Sequence, residues 1–85
     1  MSYTVVWRPE AEDELARLWN AATDRGAVAV AADSFDAAIG RNPLDVGESI
    51  GGPSRMTFVD PLAFIFDVFP QLRQVLVKTV WRNRP

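Results

Sequence analysis

Four cations near the end of the chain are the residues best suited to chemistry: Arg55, Lys78, Arg82 and Arg84. Three of them fall in or just after one run of β-formers, "VLVKTVWRNRP", from Val75 to Pro85, which holds no acid. Guanidinium and ammonium groups at such spacing suit a phosphate or a carboxylate. They do not supply a proton acceptor, because an unperturbed lysine stays protonated at neutral pH. Each cation also has an ordinary use. Arg82 and Arg84 equally suit a solubilising tail, Lys78 an edge-protecting residue or a diagonal partner for Asp67, and Arg55 the start of a strand beside a glycine loop.

The rest of the composition narrows the chemistry further. The 85 residues contain no His and no Cys. Zinc sites, thiol nucleophiles and histidine acid–base pairs are thereby excluded, and only scattered carboxylates are left as metal ligands, so neither a metal nor a cofactor is expected. No glycine-rich phosphate loop or calcium loop is present. The net charge is −2, but it is unevenly spread: residues 1–54 carry −5 and residues 55–85 carry +3. That asymmetry permits contact with an anionic partner, and it equally fits an acidic solvated helix beside a sheet with basic edges. At 48% hydrophobic, with three Trp and five Phe, the chain can build one core, and a single domain over 1–85 is expected. No apolar run approaches a membrane span, and the start "MSYTVVWRPE" lacks the basic and apolar regions of a signal peptide, which points to a cytoplasmic protein.

The elements that position the cations follow from periodicity. Tyr3, Val5 and Trp7 share one face of a first strand. Pro9 suits the first turn of a helix, with Glu10, Glu12, Asp13 and Glu14 at its positive end. Ala11, Leu15, Leu18, Trp19 and Ala22 form its apolar stripe. Asp24 is a candidate N-cap for a second helix over 25–40, with Val28, Ala31, Ala32, Phe35, Ala38 and Ile39 on one side and Asn42-Pro43 as its stop. The two helices should form an antiparallel hairpin. Leu44 to Ser54 reads as an irregular connection. Three antiparallel strands follow over 55–59, 62–69 and 74–81, with turns at Asp60-Pro61 and at 70–73. The expected architecture is thus α+β: strand, helical hairpin, three-stranded meander, four strands in all.

In this meander Leu62, Phe64, Phe66 and Val68 should face the helices. With unbroken pairing from Val68 opposite Val75, Thr79 falls opposite Phe64, and Val80 joins Ala63, Ile65, Asp67, Leu76, Lys78 and Arg82 on the other face. Trp7, Trp19 and Trp81 are expected in the core. The open face then offers Ile65, Leu76 and Val80 as an apolar centre, rimmed by Lys78, Arg82 and Arg84, for a partner. Uncovered, such a face also favours self-association.

This order of elements resembles the RelE/ParE superfamily of bacterial toxins. "YTVVWRPEAEDELARLW" is similar to the family's opening strand and first helix, "NPLDVGES" to the loop after the second helix in ParE-like members, and "RMTFVDPLAFIFDVFPQLRQVLVKTVWR" to its closing meander. The resemblance covers nearly the whole chain. It implies the toxin of a type II toxin–antitoxin module, of the kind tied to plasmid stabilisation and growth inhibition, silenced by a cognate antitoxin. RelE-like members cut mRNA on the ribosome by attack of a ribose 2′-OH, and ParE-like members poison DNA gyrase without catalysis. The cutting branch uses several Lys and Arg on the open sheet face, often with a Tyr or His near the C-terminus. Here Ala63 and Ile65 stand where a basic residue is usual, and the only Tyr is Tyr3. Arg55, Lys78, Arg82 and Arg84 are the only candidates for a metal-independent endoribonuclease, so the resemblance favours the ParE-like branch. A non-toxic interaction module that kept the fold is the alternative outside it.

Overall fold

The structure is a computed structural model and describes residues 2–83. Strand β1 (Thr4–Trp7) leads into helix α1 (Pro9–Ala21) and helix α2 (Arg25–Arg41). A short 3-10 turn, Pro43–Asp45, precedes β2 (Glu48–Gly51), β3 (Ser54–Val59), β4 (Leu62–Phe69) and β5 (Gln74–Arg82). The sheet order is β1-β5-β4-β3-β2. β1 runs parallel to β5, and every other pair is antiparallel. The α+β architecture and the order strand, helical hairpin, meander are as the sequence predicts.

One element differs. The segment after α2 is not all irregular, because Glu48–Gly51 forms a fifth strand, hairpinned to β3 through Gly51 and Gly52 at positive φ. Its four residues are all exposed, so no apolar alternation marks it in the sequence. Gly47 sets its start. With φ +67, a Cβ there would lie 2.1 Å from the Met56 carbonyl oxygen, so only glycine fits.

The helices cover one face of the sheet. Leu62, Phe64, Phe66 and Val68 of β4 are buried beneath them, as expected, together with Val75 and Val77 of β5. Phe35 of α2 stacks on Phe64 with ring centroids 3.8 Å apart, and Trp7 meets both rings edge-on. Trp7 also donates its indole N–H to the Asp36 carboxylate at 2.9 Å, satisfying its polar atom at the rim of the core. Asp24 stands at the N-cap position of α2, but its side chain makes no capping bond. Trp19 is 42% exposed and does not enter the core.

The main correction lies in β5. Val75, Leu76 and Val77 pair with Val68, Asp67 and Phe66 as unbroken register requires. The register then slips: Thr79 pairs with Ile65, Val80 with Phe64, Trp81 with Ala63 and Arg82 with Leu62. Lys78 is the extra residue of a β-bulge, and everything after it changes face. Val80 is therefore a core residue, 1% exposed beside Phe64, and not part of an open apolar face. Trp81 takes its place on the open side, half-buried, and leaves the core expected for it.

Candidate functional site

The uncovered face of the sheet carries three rows that run across the strands. Val6, Leu76, Asp67 and Ser54 form the first; Thr79, Ile65, Met56 and Glu48 the second; Trp81, Ala63 and Phe58 the third. Val6 is 48% and Phe58 54% exposed, and Ile65, Leu76, Met56 and Trp81 are half-buried. Alternation along each strand puts these side chains opposite the helices. The result is a broad, mainly apolar surface with one polar cluster.

That cluster is built on Asp67, which is 9% exposed. The Ser54 hydroxyl donates to its carboxylate. Lys78 lies 3.5 Å from the same carboxylate oxygen and donates to Ser54 Oγ at 3.3 Å. A nearly buried carboxylate needs both a countercharge and hydrogen bonds, and Lys78 with Ser54 provides them. The diagonal pairing open to Lys78 on the sequence is thus realised.

Arg55 and Arg82 do not join it. Arg55 sits opposite Phe66, on the helix side of β3. Its guanidinium donates to the carbonyls of Val46 at 3.0 Å and Gly47 at 2.9 Å, tying down the loop before β2. Arg82, turned to the helix side by the bulge, makes a two-pronged contact with Asp24 at 2.7 and 3.1 Å. That explains the missing cap, because the Asp24 carboxylate clasps the end of β5 instead of the first turn of α2. The Arg82 hydrogen bonds hold the Asp24 carboxyl below the usual carboxylate range, and the same bonds raise the Arg82 guanidinium above its ordinary value. Arg84 lies outside the described residues.

Of the partner-binding residues expected on the open face, Ile65, Leu76 and Lys78 stand there, and Val80 and Arg82 do not. Val6, Met56, Phe58 and Trp81 also belong to the face, beyond the residues that the sequence pattern singles out. A signal for the last of these was present: Val75 and Val77 keep a period of two, but the next core residue is Val80, with the polar pair Lys78-Thr79 between them. Such a phase break is the mark of a bulge. Among the described residues, no three His, Cys, Asp or Glu side chains converge to hold a metal ion, and no helix is long and apolar enough to cross a membrane.

No protein-family model and no curated protein sequence matches the chain. Solved structures do. A chain of the RelBE2 toxin–antitoxin complex from Mycobacterium tuberculosis superposes with a TM-score of 0.79 at 16% identity, covering 96% of this chain and 92% of that one. A chain of the chromosomal ParDE toxin–antitoxin system from P. aeruginosa gives a TM-score of 0.71 at 12% identity, covering 98% of each. Along nearly its whole length the chain has a RelE/ParE-like fold.

Proposed function

We propose that the chain, as one domain over residues 1–85, is the toxin of a bacterial toxin–antitoxin pair, acting in the cytoplasm and silenced by a cognate antitoxin. The observation that carries this reading is the whole-chain similarity to proteins of two toxin–antitoxin complexes. Within it, a ParE-like, gyrase-directed action is favoured over mRNA cleavage. Attack by a 2′-OH needs a proton acceptor and cations converging on one phosphate. Here Arg55 and Arg82 are on the helix side, each engaged with other groups, and Lys78 is bound to Asp67. The open face, with Ile65, Leu76, Phe58 and Val6, is the proposed antitoxin surface. Its apolar side chains suit an added strand or an amphipathic helix.

Induction in a bacterial host tests the reading. Growth arrest with inhibited supercoiling in a purified gyrase assay, and intact translated mRNA, is the expected result. Ribosome-dependent mRNA cleavage lost in Lys78→Ala would move the chain to the RelE-like branch. Normal growth on full induction would leave only an interaction module and end the toxin reading.

A further inference from the structure

The open sheet face is bounded by two uncommitted charges of opposite sign. Glu48 closes the second cross-strand row at the β2 edge, next to Met56 and Ile65. Arg8 closes the same row at the β1 edge. Its backbone N–H donates to the Val77 carbonyl at 3.0 Å, which carries the parallel ladder one residue past Trp7. Trp7 packs into the core against Phe35 and Phe64, so alternation puts Arg8 on the open side. Both side chains are exposed, and among the described residues neither takes part in an ion pair. Four strand spacings separate the two ends, about 19 Å.

Such a row is complementary to a copy of itself. Two identical sheets packed face to face are related by a two-fold axis in the plane between them. β4 is the central strand, and an axis along it exchanges the two edges of the sheet. Arg8 of each copy then meets Glu48 of the other, twice per dimer. Ile65 meets its own copy on the axis. In the third row Trp81 meets Phe58 of the second copy, with the small Ala63 between them. An axis across the strands would instead bring each edge against itself, Arg8 near Arg8 and Glu48 near Glu48, so charge selects the first. That axis also keeps the strands of the two sheets nearly aligned, the ordinary packing of stacked sheets. Asp67 meets its own copy as well, but each Asp67 is 9% exposed and has its own Lys78 at 3.5 Å.

We infer that the chain, free of other partners, forms a reversible two-fold dimer through its open sheet face, oriented by reciprocal Arg8–Glu48 pairs. Burial of apolar surface drives it, with Val6 at 48% and Phe58 at 54% exposure in the single chain. The charge pairs fix the register and suppress the wrong one. Five strands by three rows make a footprint of about 24 by 20 Å, or about 480 Å² per copy. Twice that lies just under the ~1,200 Å² at which stable interfaces begin, so the dimer is weak. The inference does not depend on toxicity. An antitoxin that takes the same face displaces the second copy.

Sedimentation equilibrium of the full chain, with no antitoxin present, tests the proposal. A monomer–dimer equilibrium in the micromolar range is expected, weakening as salt rises. Arg8→Glu alone, or Glu48→Arg alone, should weaken the dimer about fivefold in low salt. The double variant should restore it, because the pair is only exchanged. Phe58→Glu, at an exposed position, should abolish it, and if that variant does not fold the charge exchange decides. Amide NMR shifts on dilution should centre on residues 56–58, 63–65 and 79–81 and spare 28–36. A chain still monomeric at about 1 mM, a double variant as weak as the single ones, a dimer that folded Phe58→Glu leaves intact, or dilution shifts centred on the helices would each overturn the proposal.

Discussion

The bulge at Lys78 can be tested by two substitutions that differ by one position. With unbroken pairing, Thr79 would sit opposite Phe64 in the core and Val80 opposite Ala63 on the open face. In the structure the two are exchanged: Val80 is 1% exposed against Phe64, and Thr79 is half-buried opposite Ile65. Val80→Ala deletes two methyl-sized groups, worth about 1.6 kcal/mol by transfer. The cavity left beneath the helices adds to this, for a total of about 2–3 kcal/mol. In a domain of this size that lowers Tm by roughly 8–24 °C. Thr79→Ala removes a half-exposed hydroxyl and methyl and should change stability by no more than about 0.5 kcal/mol. Urea melts followed by tryptophan fluorescence report both, with an unchanged slope showing that the unfolding transition is the same. If Thr79→Ala is the costly variant and Val80→Ala the silent one, the bulge is absent and the face assignment after residue 78 is wrong.

Three further outcomes follow from the packing. Phe64→Ala empties the centre of the aromatic stack with Phe35 and Trp7 and should cost about 3–5 kcal/mol; a thermal melt near that of the wild type would contradict the core. Gly47→Ala forces a Cβ onto the Met56 carbonyl at φ +67 and should cost about 2–4 kcal/mol, so an unchanged melting temperature would refute the tight turn before β2. The folded-state pKa of Asp24 is depressed by Arg82. Its stabilising effect is therefore fully present above the unfolded value of about 3.9 and is lost as pH falls through the lower folded value. The stability gap between wild type and Asp24→Asn should be flat from about pH 5 to pH 8 and shrink below about pH 4; a gap equally wide at pH 2.5 and pH 7 would refute the pairing.

What the sequence made legible follows from where its periodicity is strong. The stripe Val28, Ala31, Ala32, Phe35, Ile39 and the alternation Leu62, Phe64, Phe66, Val68 each name an element and its buried side, and both are in the core cluster. The fold class follows from their order. What stayed hidden lacks a local signal. β2 buries nothing, so no alternation marks it. The Asp24–Arg82 pair spans 58 positions in the chain and competes with a capping role that local rules favour for Asp24. Trp19 looks like a core residue by spacing, yet it is 42% exposed and its ring meets the Arg25 guanidinium at 4.8 Å in place of a core side chain. Of the candidate site, Val80, Trp81 and Arg82 are the residues misassigned, because they lie beyond the bulge, where one slipped residue exchanges faces for every side chain that follows.

The charge asymmetry of the chain also takes on a different meaning once the partners are placed. The C-terminal part carries +3, which by itself suggests a basic sheet surface. Three of its cations are committed to groups within the protein. Arg55 secures the carbonyls before β2, Arg82 holds the helical hairpin through Asp24, and Lys78 neutralises Asp67. Arg73 lies 5.7 Å from the Tyr3 ring at the turn before β5. The open face therefore presents Val6, Phe58, Ile65, Leu76 and Trp81 around an internally balanced Ser54–Asp67–Lys78 cluster, with Glu48 at one end of a row. A phosphate on that surface would have to compete with Asp67 for Lys78. A backbone of phosphates needs several uncommitted cations in register. The committed cations Arg55, Lys78 and Arg82 are thus the physical ground on which the proposed ParE-like action is preferred to the RelE-like one.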